Sequence, residues 1–284
     1  MSDIQITFLG TSGSTPTAER SLPSIALKRK GEILIFDCGE GTQRQMIKAG
    51  LSFARKTKIF ITHMHGDHIF GLPGLIQTMS LMNREEKLSI YGPIGISAFI
   101  EAVRETANLH SQFDIEVFEI KHPGIIYDDR EYKIQACSNE HGVPGFAYAL
   151  IEKPRPGRFY PEKAKALGIP EGPLWARLQR GESLKLPDGR VVTPDMVVGP
   201  KRRGRKIVYS GDTRPTEEMV HLARDADILI HEATLGDEYK ERAVLDGHST
   251  PSEAAEVALK AGVKKLILTH ILSLIHISEP TRLG

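Results

Sequence analysis

The sequence predicts a layered α/β (α+β) domain, on three observations. Short apolar, β-branched runs recur along the chain, segments of helical pattern separate them, and several runs end in a single polar donor residue. At 284 residues with 40% hydrophobic content, the chain can bury a sizeable core as one large domain, or as one domain with an insertion.

Residues Ile4 to Leu9, Ile33 to Phe36, Lys58 to Thr62 and Leu88 to Tyr91 read as strands. Further strands are expected at Ile115 to Ile120, Lys133 to Cys137, Phe146 to Ile151, Ile207 to Ser210, Asp227 to Ile230 and Leu266 to Thr269. Helical patterns occupy Gly41 to Ala49, Leu72 to Met82, Ile96 to Asn108 and Thr216 to Arg224. The helix after Thr250 carries its own start chemistry, with Thr250 as N-cap, Pro251 in the first position and Glu253 closing a capping box.

Residues 153–206 break this rhythm. They hold 8 of the 17 prolines, the single Trp, and 14 Lys/Arg against 5 Asp/Glu, a local balance of +9 in a chain whose total is +1. The length exceeds an ordinary loop, and a linker has no reason to divide two halves of one donor pattern. The stretch reads as an inserted basic arm in which Leu174 to Leu178 forms a helical turn.

Two cysteines are too few for a disulfide framework or a thiolate zinc site, which leaves His and Asp as metal ligands. With no secretory signal and no apolar run of membrane-spanning length, a cytoplasmic protein with no membrane association is expected. Residues 272–284 resemble the translation of a transposase sequencing adaptor. They are read as a non-native tail and excluded from site reasoning, His276 included.

The chemistry concentrates in His63-Met64-His65-Gly66-Asp67-His68. In extended backbone, residues two apart project to one side, so His63 and His65 can converge on one ion, while Asp67 and His68 can face a second. Imidazole and carboxylate donors suit zinc, and manganese or iron accept the same set. Later strand ends add His141, Asp212 and His270, giving seven donors for two ions with Asp212 able to bridge. His110, His122 and His221 lack this context and read as structural or solvent-exposed.

These residues resemble the metallo-β-lactamase superfamily, which implies a four-layer αββα sandwich. Within it the chain is similar to the short-form ribonuclease Z family from Ile4 to His270. The shared segments are Phe8 to Thr11, Asp37 to Gln43, Ser210 to Pro215, His231-Glu232-Ala233-Thr234 and Gly247-His248-Ser249-Thr250. Residues 153–206 resemble that family's flexible arm, inserted in a domain of residues 1–270. The resemblance implies a homodimer acting on precursor tRNA. It assigns His63, His65 and His141 to one Zn2+ and Asp67, His68 and His270 to the other, with Asp212 between them. Such ions lower the pKa of a bound water from 15.7 towards about 7. Asp67 is implied to orient or deprotonate the nucleophile, and His248, paired with Glu232, to protonate the leaving ribose oxygen. Ser21 stands where the family often has Asn in a loop that senses the RNA 3′ end. Another superfamily phosphodiesterase or thioesterase, or a non-catalytic RNA-binding member, is the competing expectation.

Overall fold

The computed structural model describes residues 4–272, so all of the adaptor-like stretch except Leu272 lies outside the described residues. By internal packing the chain divides into two compact units. The first takes the residues up to Tyr127, Ile134–Leu150 and those from Lys206; the second takes Asp128–Lys133 and Ile151–Arg205.

The first six strands form one sheet in sequence order: β1 (Ile4–Gly10), β2 (Ser24–Arg29), β3 (Glu32–Phe36), β4 (Lys56–Phe60), β5 (Leu88–Pro93) and β6 (Ile115–Ile120). β1, β2 and β3 pair antiparallel, and β3 to β6 run parallel. The helices between them are α1 (Thr42–Lys48), α2 (Gly66–Ile69), α3 (Gly71–Leu81) and α4 (Ile96–Thr106). Strand alternation sorts the side chains. Ile33, Ile35, Ile59, Ile61, Leu88 and Ile90 share a buried cluster with Met46, Leu72, Leu75, Ile76, Met79, Ile96 and Ile100 of the helices.

The opposite face of this sheet is aromatic and meets a second sheet. That sheet opens with β7 (Gly124–Asp128), β8 (Tyr132–Ser138) and β9 (Phe146–Glu152). The chain then forms α5 (Pro161–Ala166), α6 (Pro173–Gln179), the short strands β10 (Leu184–Lys185) and β11 (Val191–Val192), and α7 (Pro194–Val197). It returns as β12 (Lys206–Tyr209), α8 (Glu217–Ala223), β13 (Ile228–Glu232), α9 (Lys240–Asp246), α10 (Pro251–Lys260) and β14 (Leu266–Thr269). The spatial order is β14-β13-β12-β9-β8-β7, with β12, β13 and β14 parallel. Between the sheets, Phe36 lies 6.2 Å from Tyr148 and 6.2 Å from Tyr209, and Phe60 lies 5.8 Å from Tyr148, ring centre to ring centre. α10 packs on α8, β13 and β14. The layers are helix, sheet, sheet, helix, as expected.

The second unit has its own small core of Ala164, Ile169, Leu178, Leu184, Val192 and Val197, with Phe159 and Trp175 packed against it 5.1 Å apart. Glu152 accepts hydrogen bonds there from Arg205 Nε at 2.7 Å and Arg155 Nη2 at 2.5 Å. The helical turn expected at Leu174 to Leu178 falls inside α6, which Pro173 opens, while Pro161 and Pro194 open two further helices that composition alone does not reveal.

Four strands lie outside the sequence expectation: β2, β7 and the two-residue β10 and β11. β2 ends in Lys28-Arg29, and Arg29 is buried, so its charge masks a strand that is interior. β7 is an edge strand of half-buried residues with weak alternation.

Candidate metal centre

The first donors stand where β4 gives way to α2. The chain leaves β4 through Thr62, whose N–H and hydroxyl both donate to Asp37 Oδ1, at 2.7 and 2.9 Å. His63 and His65 follow in extended backbone, and their facing nitrogens, Nε2 and Nδ1, lie 3.0 Å apart. His141, from the loop after β8, brings Nε2 to 3.2 Å from His65 Nδ1. The donor atoms of these three residues all lie within 4.8 Å of one another.

A second group forms around α2. Asp67 and His68 lie on that helix, and His270 follows β14 at a positive φ of 55°. His68 Nε2 and His270 Nε2 are 3.3 Å apart, and Asp67 Oδ2 is 3.5 Å from each. Asp212, just past β12, lies between the groups: its Oδ2 is 3.7 Å from His63 Nε2, 3.3 Å from His68 Nε2 and 3.2 Å from His270 Nε2. Gly211 makes that approach possible, because a Cβ there would sit 2.8 Å from the Thr62 side chain, at a φ of 58°. All seven expected donors therefore converge, whereas His110, His122 and His221 are exposed.

The donor set fits divalent metal on observations of its own. Four imidazoles have their outer nitrogen already engaged: His63 Nδ1 with Thr62 Oγ1 (3.0 Å), His68 Nδ1 with Asp37 (2.8 Å), His141 Nδ1 with the Gly247 carbonyl (2.9 Å) and His270 Nδ1 with Thr234 Oγ1 (2.8 Å). Their Nε2 atoms are left facing the cluster, the arrangement that orients metal-binding histidines. Among the described residues, Asp212 Oδ1 is buried without a hydrogen-bond partner, which is costly unless a cation compensates it. Burial and the neighbouring His68 push His63 down to about 2, and burial also lowers His65, so both are neutral at pH 7, the form in which an imidazole can bind metal. Burial disfavours charge on His68 too, yet Asp212 and Asp37 outweigh it and raise this imidazole.

Beside the donors lies an acid–base pair. His248 Nδ1 is 2.9 Å from Glu232 Oε1, and Glu232 is wholly buried at the end of β13. Glu232 also accepts from the Thr213 N–H (2.9 Å) and from Thr234 N–H and hydroxyl (3.1 and 2.6 Å). Burial works against a charged His248, but the hydrogen bond and charge of Glu232 prevail and hold it above the usual histidine value. His248 remains partly exposed and stands 4.8 Å from the His141 ring.

Several residues with clear positions in the site carry no role in the sequence pattern. Asp37 is one, although β3 runs straight into it, the same pattern that marks the later candidate donors. Thr62, Thr234, Asn139, whose amide donates to the Ser210 and Asp212 carbonyls, and the Gly247 carbonyl carry no residue-type signature.

A family profile described as "Anti-Pycsar protein Apyc1" matches residues 4–151, and one described as "Beta-lactamase superfamily domain" matches residues 187–271. A ribonuclease Z of Methanosarcina acetivorans is 48% identical over 270 residues, covering 95% of this chain and 88% of its own length. The ribonuclease Z of Archaeoglobus fulgidus is 52% identical over 94% of this chain and 87% of its own. Among solved structures, human tRNase Z, short form, superposes with a TM-score of 0.73 at 32% identity, covering 94% of this chain and 93% of that one.

Proposed function

The chain belongs to the ribonuclease Z family, within the beta-lactamase superfamily, and from that membership we propose that it removes the 3′ trailer of precursor tRNA by phosphodiester hydrolysis. The observation that carries the reading is the Glu232–His248 pair beside the metal donors. Cleavage of an RNA phosphodiester expels a ribose 3′ oxygen, a poor leaving group that needs a proton. A raised, partly exposed imidazole supplies one, whereas a thioester gives a leaving group that departs without it.

In this reading His63, His65 and His141 would hold one Zn2+ and Asp67, His68 and His270 a second, with Asp212 placed between the two groups. The imidazole-rich set suits zinc, and manganese or iron use the same donors. Such ions supply a lowered pKa for water and offset charge on the phosphoryl oxygens. Asp67 orients the attacking water and takes its proton. A new O–P bond forms as the P–O3′ bond breaks, and His248 passes its proton to O3′ while Glu232 holds the ring. The tRNA leaves with a 3′-hydroxyl and the trailer with a 5′-phosphate.

Residues 153–206 are proposed as the RNA-gripping arm of a domain spanning 1–270. Their support is the local +9 balance and a cleft of about 930 Å³ lined by Arg155, Tyr160, Lys163, Arg180 and Lys201. A cytoplasmic homodimer belongs to the same reading; Ile47 on α1 and Leu81 on the neighbouring α3 are exposed apolar side chains that a partner copy would cover. Among the described residues no helix is long and apolar enough to cross a membrane.

The test is incubation with a precursor tRNA bearing a 3′ trailer, with the cut mapped and His248→Ala compared. Cleavage at the trailer junction, slowed by roughly 10²–10⁴-fold in the variant, is expected; undiminished cleavage removes His248 from its role.

A further inference from the structure

We propose that Arg214 is a positioning residue for the proton donor, fixing the main chain of His248 while Glu232 fixes its ring; the inference rests on His248 being that donor. Arg214 lies two residues beyond Asp212, and its own N–H donates to the Glu140 carbonyl at 2.8 Å, next to His141. Its guanidinium reaches the other way. Nη1 donates to the His248 carbonyl, and Nη1 and Nη2 together grip the Glu253 carboxylate at 2.8 and 2.6 Å.

Glu253 is itself held, since it closes the capping box that starts α10 by accepting from the Thr250 N–H at 3.0 Å. Ser249 Oγ, between these points, donates to the Thr213 carbonyl at 2.6 Å. The stretch carrying His248 is therefore tied to the stretch carrying Asp212 through one planar, bidentate side chain.

Side-chain and main-chain contacts together define where the imidazole sits. Glu232 at 2.9 Å and the Thr234 hydroxyl at 3.2 Å both engage Nδ1, which leaves Nε2 as the nitrogen that faces a leaving oxygen. Contacts at one nitrogen allow the ring to swing unless the backbone behind it is fixed. The His248 N–H donates to the Ala243 carbonyl at 2.8 Å, and Arg214 holds the carbonyl at the other end of the residue. Both its Nη atoms are occupied by Glu253 and His248, and its side chain is only 15% exposed, so it is not a cation held free for phosphate. Lysine cannot reproduce the fork. A displacement of about 1 Å in a reacting group costs on the order of 10²-fold in rate, so loss of this clamp should weaken proton transfer and spare substrate binding.

The experiment varies the leaving group. Arg214→Ala and Arg214→Lys are assayed on precursor tRNA, on the same RNA with sulfur replacing the bridging 3′ oxygen, and on bis(p-nitrophenyl) phosphate; the last two expel groups that depart as anions. For Arg214→Ala, kcat on natural RNA should fall roughly 10- to 100-fold with KM changed by less than about 3-fold. The thio substrate and the nitrophenyl ester should be cut within about 3-fold of the parent rates, with Arg214→Lys between the two on natural RNA. Equal losses on all three substrates, or no loss on any, would overturn the proposal. His248→Ala is run in parallel. If it lacks the leaving-group dependence, the donor assignment itself fails; if it shows the dependence and Arg214→Ala does not, only the positioning role fails. Should Arg214→Ala not fold, Glu253→Gln, which loosens the same grip, is held to the same three-substrate criterion.

Discussion

Asp37 Oδ2 accepts a hydrogen bond from His68 Nδ1 at 2.8 Å, with neither side chain exposed. The same carboxylate takes the Thr62 N–H and hydroxyl and the Tyr209 hydroxyl, the last at 2.8 Å. Asp37 reaches this position at a φ of 58°, a conformation costing on the order of 1 kcal/mol in a non-glycine residue, which four donors more than offset. One carboxylate thus orients a metal donor of one sheet and ties it to β12 of the other.

Replacing Asp37 by Asn puts an amide N–H₂ against a ring of donors. Metal affinity should fall roughly 10- to 100-fold, the usual effect of losing an outer partner of a ligating histidine. Competition with a chromophoric chelator measures it, and an unchanged affinity would mean that Asp37 serves only folding.

Chelation should abolish trailer cleavage and lower the melting temperature, because ions bound by the folded donor set stabilise it by mass action. Elemental analysis of the reloaded protein is expected to give two metal ions per chain and to fall below that in Asp212→Ala, whose shared carboxylate faces both groups.

Neutralising Arg155, Arg180 and Lys201 together should weaken precursor-tRNA binding and flatten its salt dependence by up to about 0.7–0.9 log units per lost phosphate contact. Hydrolysis of bis(p-nitrophenyl) phosphate should not change. Equal loss of both activities, with metal content intact, would argue against a dedicated RNA-binding cleft.

The second unit should loosen in acid. Burial raises the Glu152 carboxyl, but Arg205 and Arg155 outweigh it and bring it down to about 2, below the roughly 4.3 of an unfolded glutamate. A depressed carboxyl contributes stability that is complete above the unfolded value and fades as pH falls towards about 2. After allowance for solvent screening, the contribution is roughly 1–2 kcal/mol. Hydrogen exchange across 151–205 between pH 6 and 3 should show the loss in the parent and a flatter profile in Glu152→Gln.

Much of the centre was readable from the chain because a strand that ends in one donor leaves a pattern of residue types, as with His141, Asp212 and His270. Asp37 shows the same pattern, but it lies outside the histidine motif that gives the other donors their context. What could not be read is what holds the outer nitrogens. The Gly247 carbonyl that orients His141 is main chain, so no side chain announces it, and Thr62 and Thr234 become partners only through register. The fold was likewise legible where strands alternate cleanly and illegible where buried charge, as at Arg29, disguised an interior strand.

His68 and His270 meet across 202 residues of sequence. Contacts of that separation form late, after the entropy of closing so long a loop has been overcome. A chain in which only β1 to β6 have come together holds His63, His65, Asp67 and His68 but lacks the shared carboxylate and the proton donor. On the proposed roles such a chain has donors for one ion and still lacks what cleavage needs. On the proposed roles, nucleolytic competence therefore requires both halves of the fold.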